Sequence, residues 1–351
     1  MTASAGEAVT QPASPRIKRS FSVIGHDPDT VELRQGVWSA TSHTITDEAR
    51  RGWLFPVVNA LDGSREVAEL AARANIGMEE MSALLEQLRT LDVIEDTATN
   101  ALDHYLDHYA DLLSGPPPPA RPIRVIGDGG MAAHVTELIA AGDPKLDVTD
   151  SSDDPVLEVL KDADTGWTTH GLRLHEVAET FASWEGGITV WAGVRVDPVA
   201  VSLFNRVALE VGMSWLHGTI DGPFLFVGPT FHPGRGPCYA CLETRITMNL
   251  ADGAGYRRYK NALTTAQASG GRPPMLPALS SLLCSHLALE AINLAHTGAS
   301  FTHGKMLCVY LPTWETTVSE VLQIPGCPAC SPVAQRDEPE LYFQAKEWLS
   351  G

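Results

Sequence analysis

Positive charge is scarce in this chain: 25 Lys and Arg stand against 43 Asp and Glu, a formal net charge of -18. A general nucleic-acid binder needs a positive field to meet phosphates, so that class is excluded. Cysteine is sparse as well, six in 351 residues, well short of a disulfide scaffold. No apolar run of about 18 residues is evident, which predicts that nothing spans a membrane. The opening stretch, Met1 to Pro15, is polar and rich in Ala and Pro, without the apolar centre of a secretory signal. Residues 1–16 therefore read as a disordered tail on a cytoplasmic protein.

What is present is enough to build packed cores, since 44% of the residues are apolar. At about 150 residues per domain the length predicts two domains. The boundary is marked by Ser114-Gly115 followed by Pro116 to Pro119 and then Ala120-Arg121-Pro122. Consecutive prolines cannot continue a helix and favour an extended spacer.

Before that spacer, Phe21–Ile24 and the alternating Val31–Arg34 read as strands. Gln35-Gly36 supplies a turn, and Val37, Trp38, Ser39, Ala40 and Thr41 are expected to return as the next strand. Thr46 is expected to cap a first helix carrying Trp53, Leu54, Val57, Val58 and Leu61, with Pro56 an awkward kink within it. Two further amphipathic stripes follow, Val67–Ala71 and Met78–Leu91. A hairpin and three short helices over residues 17–98 describe a winged helix-turn-helix. Charge opposes its usual use on DNA. Residues 16–96 hold nine Lys/Arg and fourteen Asp/Glu, and the third helix carries Glu79, Glu80 and Glu86 against Arg89. A groove between an exposed strand and such a helix can instead take an extended peptide by strand addition. Residues 99–122 read as a connecting helix and the Pro-rich linker, with His104 and His108 as surface residues.

Residues 123–332 read as an α/β domain. Ile123–Ile126 is a strand that runs into Gly127-Asp128-Gly129-Gly130-Met131-Ala132 and then a helix. Such a turn lets phosphates approach a helix N-terminus, and equally serves as a tight strand–helix junction. Lys145–Val148, Ile188–Val194, Trp215–Ile220 and Phe224–Val227 read as strands. Helices are expected over Leu172–Trp184, from Asp197-Pro198 to Gly212, and over Leu279–Ala295. The alternation predicts a mostly parallel sheet. The last helix has Glu290 as its one charged residue, so it must be buried in a domain or in a homodimer interface. Residues 251–274, with Arg257, Arg258 and Lys260, read as a polar loop, and residues 333–351 as a C-terminal tail.

Four cysteines form two Cys-x-x-Cys pairs, Cys238 with Cys241 and Cys327 with Cys330, 85 residues intervening. Each pair can place two thiolates on one cation, so together they predict one structural, four-coordinate Zn2+. A redox dithiol, disulfides, or His232 in place of one ligand are the alternatives.

The glycine turn, the helix beginning Asp197-Pro198 with Asn205-Arg206 inside it, and the block from Gly228 to Glu243 around the first cysteine pair resemble the ThiF/ubiquitin-activating fold. With the N-terminal winged-helix segment and the closing Cys327-Pro328-Ala329-Cys330, residues 17–332 resemble the ThiF-like (ocin-ThiF type) leader-peptide-binding proteins of thiazole/oxazole-modified microcin pathways. The resemblance implies a peptide recognition element that takes a precursor leader as an added strand, here at Val37, Trp38 and Ser39 with Leu84 and Leu88. It implies a body that docks a YcaO-type cyclodehydratase, the ATP-dependent enzyme that forms azolines. The cofactor-binding positions would be Gly127, Gly129 and Asp197. The adenylating pattern is incomplete: the stretch after Asp150 is acidic, Asp153 and Asp154 included, and Val201 stands where an arginine belongs. ATP binding is therefore not expected, and the chain reads as a non-catalytic scaffold that raises local substrate concentration. An adenylating enzyme acting on a peptide, and a winged-helix regulator, are the competing readings.

Overall fold

A computed structural model describes residues 14–38, 41–96, 99–107, 118–128, 130–161, 164–194, 196–265, 267–268 and 274–331. The chain divides into two compact units, Met1–Asp111 and Leu112–Gly351.

In the first unit, β2 (Phe21–Asp27), β3 (Thr30–Gln35) and β4 (Thr41–Thr46) form an antiparallel meander, while β1 (Arg16–Ile17) pairs with β5 (Ile94–Glu95). Alternation makes the centre of the meander: Val31 and Leu33 are fully buried, and Glu32 on the opposite face pairs with His26 and Arg34. The helices α1 (Leu54–Asn59), α2 (Val67–Ala74) and α3 (Met78–Thr90) close over them, and α4 (Ala101–Asp107) follows. The α3 stripe Met81, Leu84, Leu85 and Leu88 is buried, as spacings of three and four residues on one helix face require.

Two expectations are corrected here. The returning strand starts at Thr41, paired with Gln35, not at Val37. Gly36 has a positive φ, and Val37 and Trp38 stand 76% and 98% exposed in the connection. The β-branched run Thr41, Thr44, Ile45, Thr46 suits the ladder, and only Ile45 of β4 needs burial. Thr46 ends that strand and caps no helix. The helix starts at Leu54, which puts Pro56 in the first turn, where its missing N–H costs no helical bond.

The second unit is a seven-stranded sheet in the order β7-β6-β8-β9-β10-β11-β12. Its strands are β6 (Ile123–Gly127), β7 (Val148–Asp150), β8 (Ile188–Gly193), β9 (Ser214–Asp221), β10 (Phe224–Phe231), β11 (Lys305–Tyr310) and β12 (Glu315–Glu320). The first four run parallel, but β9 through β12 form an antiparallel meander. The sheet is mixed, not mostly parallel, because the last strands return by hairpins rather than by helical crossovers. The helices are α5 (Met131–Gly142), α6 (Gly171–Thr180), α7 (Pro198–Val211), α8 (Tyr239–Asn249), α9 (Gly253–Thr264) and α10 (Pro277–Thr297). The segment read as a polar loop thus contains α9, which has no buried residue.

Strand alternation assigns the faces. Trp215 of β9 meets Phe204 of α7 edge-on at 5.3 Å, while Gly218, of opposite parity, lies under Leu283 and Leu287 of α10. By length and composition α10 is apolar enough to cross a membrane, contrary to the expectation that no such run exists. It packs on α5, β8 and β9 and buries Leu283, Leu287, Ala291 and Leu294. Its carboxylate Glu290 is buried too, and it accepts hydrogen bonds from Ser300, and from Thr302 through both its N–H and its hydroxyl.

A Cβ at Gly218 would lie 2.8 Å from Leu287 and 3.0 Å from Leu283. Gly218→Val is expected to destabilise the second unit by about 1–3 kcal/mol through overpacking, read as a lowered midpoint in a denaturant titration.

Candidate metal centre and the predicted nucleotide and peptide sites

The two Cys-x-x-Cys turns meet. Sγ–Sγ distances are 4.0 Å for Cys238–Cys241, 3.8 Å for Cys238–Cys327 and 3.6 Å for Cys241–Cys330, and all four sulfurs lie within 4.8 Å of one another. A disulfide needs about 2.05 Å, so these are four separate thiols. Zinc–sulfur bonds of about 2.3 Å in a tetrahedron put the sulfurs about 3.8 Å apart. The cluster is compatible with a zinc site whose four positions are all filled by protein. His232 is not in it; its Nδ1 lies 2.9 Å from Ser214 Oγ.

The surroundings suit thiolates held by a cation. Cys238, Cys241 and Cys327 are buried, and burial pushes the Cys238 thiol far up and that of Cys330 up to about 11. Four clustered sulfurs, three of them on buried cysteines, cannot share negative charge without a positive partner, and a bound divalent ion deprotonates them outright. Gln323 Nε2 donates to Cys330 Sγ (3.5 Å) and Ile324 N–H to Cys241 Sγ (3.4 Å). Such donors orient and stabilise ligating sulfurs.

Two residues of α7 brace both turns. Asn205 Oδ1 accepts from the Tyr239 N–H (2.9 Å) where α8 begins, and the Arg206 guanidinium donates to the carbonyl of Ala329 at 3.1 Å. The sequence reading used Asn205-Arg206 only as part of a resemblance. Their work as braces had no local signal, since the residues they hold lie 34 and 123 positions away.

The glycine turn stands at the carboxyl end of β6. A Cβ on Gly127 would lie 2.4 Å from the Ala192 carbonyl oxygen, so the neighbouring strand alone requires glycine there. The Gly127 N–H donates to Ser152 Oγ (3.1 Å), and that hydroxyl donates to Asp150 Oδ1 (2.8 Å). Asp197 caps α7, its Oδ1 accepting from the N–H groups of Val199 (3.0 Å) and Ala200 (3.1 Å). Val201 is buried, and Lys161, on the segment after β7, pairs with Glu158. Gly129 lies outside the described residues.

In the first unit, Leu84 and Leu88 are core residues, 5% and 0% exposed, so they can form the floor of a groove but not its walls. Ser39 lies outside the described residues. Among the described residues β4 pairs only with β3, which leaves its outer edge open. Arg51, just past β4, binds Glu80 of α3 at 2.6 Å. Thr41 and His43 of β4 line a cavity of about 270 Å³ together with Phe21 of β2, Gln35 of β3, and Leu91 and Asp92 just past α3, so this cavity spans the end of the meander. Helical spacing puts Glu80, Ala83, Gln87 and Leu91 on one face of α3.

No family model and no curated protein matches this chain. Solved structures do. The heterocyclase TruD superposes with a TM-score of 0.61 at 18% identity, over 91% of this chain and 43% of its own. A heterocyclase solved with substrate and cofactor gives 0.61 at 17% identity, over 90% and 39%. E. coli MccB, solved with AMPCPP and MccA, gives 0.50 at 13% identity, over 90% and 99%. The class these matches define is one of fold: both units of this chain follow the architecture of TruD. The chain spans about two fifths of the length of the two heterocyclases.

The geometry predicts one zinc per chain. Cys241→Ser removes a fully buried ligand, and mass spectrometry of the purified variant is expected to show loss of that metal together with loss of a cooperative thermal transition. Wild-type protein that is metal-free and melts cooperatively would contradict this.

Proposed function

We propose that this chain is the substrate-recognition and scaffold subunit of an azoline-forming system. Its first unit, read as a winged helix-turn-helix, captures the leader of a ribosomal precursor peptide. The second, a ThiF-like body stapled by structural zinc, presents the peptide to a YcaO-type ATP-dependent cyclodehydratase. The carrying observation is the edge of β4 left unpaired among the described residues, with α3 tied to the segment just past that strand by Arg51–Glu80. A leader running along that edge gains main-chain hydrogen bonds, while its alternate side chains meet the α3 face. Val37 and Trp38, exposed just before β4, extend the contact surface at the groove's mouth.

The likeness to a heterocyclase solved with its substrate, and to MccB solved with MccA, supports a peptide ligand. The adenylating alternative draws support from MccB with AMPCPP. Against it, the Gly127 N–H, the Asp150 carboxylate and Asp197 Oδ1 are each engaged within the protein. The acidic loop beyond Asp150 would also repel a triphosphate.

Titration of the full chain with a fluorescent precursor leader tests the proposal. Thr44→Pro, which removes a β4 donor, and Ala83→Arg, a bulky change at an exposed helix position, are each expected to weaken binding about tenfold or more. Asp197→Asn is expected to leave leader affinity unchanged. Unaltered affinity in both groove variants would remove the assignment, and azoline formation should require the separate YcaO-type enzyme.

A further inference from the structure

The amino ends of the parallel strands carry a cavity of about 600 Å³, on the opposite side of the sheet from the glycine turn. Its polar lining is Arg121, Ser214, His232, Arg235, Ser300 and His303, and no carboxylate is among the described residues that line it. That is unusual ground in a chain of net charge -18. We propose that this cavity is a binding site for a small phosphorylated molecule, with the phosphate dianion held between Arg121 and Arg235.

The donors are built in rather than scattered. Arg121 is fixed by its Nε to the Gly186 carbonyl (2.7 Å) and by Nη2 to the Gly187 carbonyl (2.8 Å) and Ser214 Oγ (3.0 Å). Those bonds leave the Nη1 edge of its fork for a ligand. The Ser214 hydroxyl is buried and needs an acceptor for its own proton. His232 Nδ1, 2.9 Å away, is that acceptor, which places the imidazole proton on Nε2 as a further donor. The His303 ring stands 4.9 Å from that of His232. Arg235 is exposed on the turn closed by its N–H to the His232 carbonyl at 3.1 Å, and no described carboxylate pairs with it.

Charge selects the ligand. Burial, followed by the fields of His303, Arg121 and Arg235, depresses His232 to about 4, so at neutral pH the imidazole is uncharged. Two guanidiniums remain, and two positive charges match a phosphate dianion better than a single carboxylate. Guanidinium forks also fit phosphate oxygens bidentately. The volume lies in the range of small-molecule sites, about 300–1,000 Å³, which leaves room for an organic group beyond the phosphate.

The test uses the full chain at pH 7.5, with inorganic phosphate, glycerol 3-phosphate and acetate as probes. Calorimetry and the Cε1–H resonances of His232 and His303 report binding. Saturable binding of both phosphates is expected, with acetate weaker and with the His232 pKa raised by the bound anion. Arg235→Gln, at an exposed turn, should weaken phosphate about tenfold. Arg257→Gln, which removes the same charge outside the cavity, should not. Non-saturating phosphate titrations, acetate binding as tight as phosphate, or equal losses in both variants would overturn the proposal.

Discussion

Four sulfurs within 4.8 Å of one another, three of them on buried cysteines, are the constraint on which the second unit depends. They join the start of α8 to the turn that follows β12 and so close a loop holding α9, α10, β11 and β12. Closing a loop of that length is entropically costly, and the cost must be met locally. Helix α10 meets part of it by burial, but two other elements of the loop do not. Helix α9 has no buried residue, and β12 is exposed along its whole length. A structural zinc contributes about 10–16 kcal/mol to folding, as much as the net stability of a typical domain, about 5–15 kcal/mol. A metal at the four sulfurs would therefore supply a large share of the stability of this unit. The braces from Asn205 and Arg206 carry the same constraint into α7, and through Phe204 and Trp215 into the core.

The lining of the amino-end cavity contrasts with the acidic groups at the carboxyl ends of the strands. At the carboxyl ends stand Asp150, Asp153, Asp154 and Asp197; at the amino ends stand Arg121, Arg235 and two imidazoles. Open α/β sheets commonly bind ligands at the carboxyl ends of their strands. Here that end has its glycine turn filled by a neighbouring carbonyl and a serine hydroxyl. The proposed anion site lies at the opposite end instead, where four segments otherwise far apart in the chain, residues 118–121, 212–214, 232–235 and 298–303, converge.

Features set by near neighbours were legible in the sequence. The cysteine pairs, the strand before Gly127 and the α3 stripe each follow from spacings of a few residues, and each stands where it was read. What failed depended on distant partners. Val37 and Trp38 look like strand by composition, yet no facing surface buries them. Strand β12 has no apolar face to announce it, and it exists because β11 offers a ladder. The cavity at the amino ends was invisible, since Arg121, Ser214 and His232 carry no shared motif. Leu84 and Leu88 were read as ligand contacts because an apolar stripe does not say which of its members the core will claim.

The edges of the described sheets argue for β4 as the recognition strand. An unpaired edge invites association, and proteins usually blunt it with charge, proline, a bulge or shortness. Strand β2 has a register shift between Gly25 and Asp27. Strand β7 is three residues long and ends in Asp150, and β12 is bounded by Glu315 and Glu320. Strands β1 and β5 have two residues each. Only β4, Thr41-Ser42-His43-Thr44-Ile45-Thr46, combines six residues with no acid, no lysine, no proline and an unbroken register against β3. An edge left without these protections in a chain of this acidity fits one meant to be covered. In the proposed complex a single extended peptide segment, not another sheet, takes that edge, with Arg51 and Glu80 paired beyond one end of the strand.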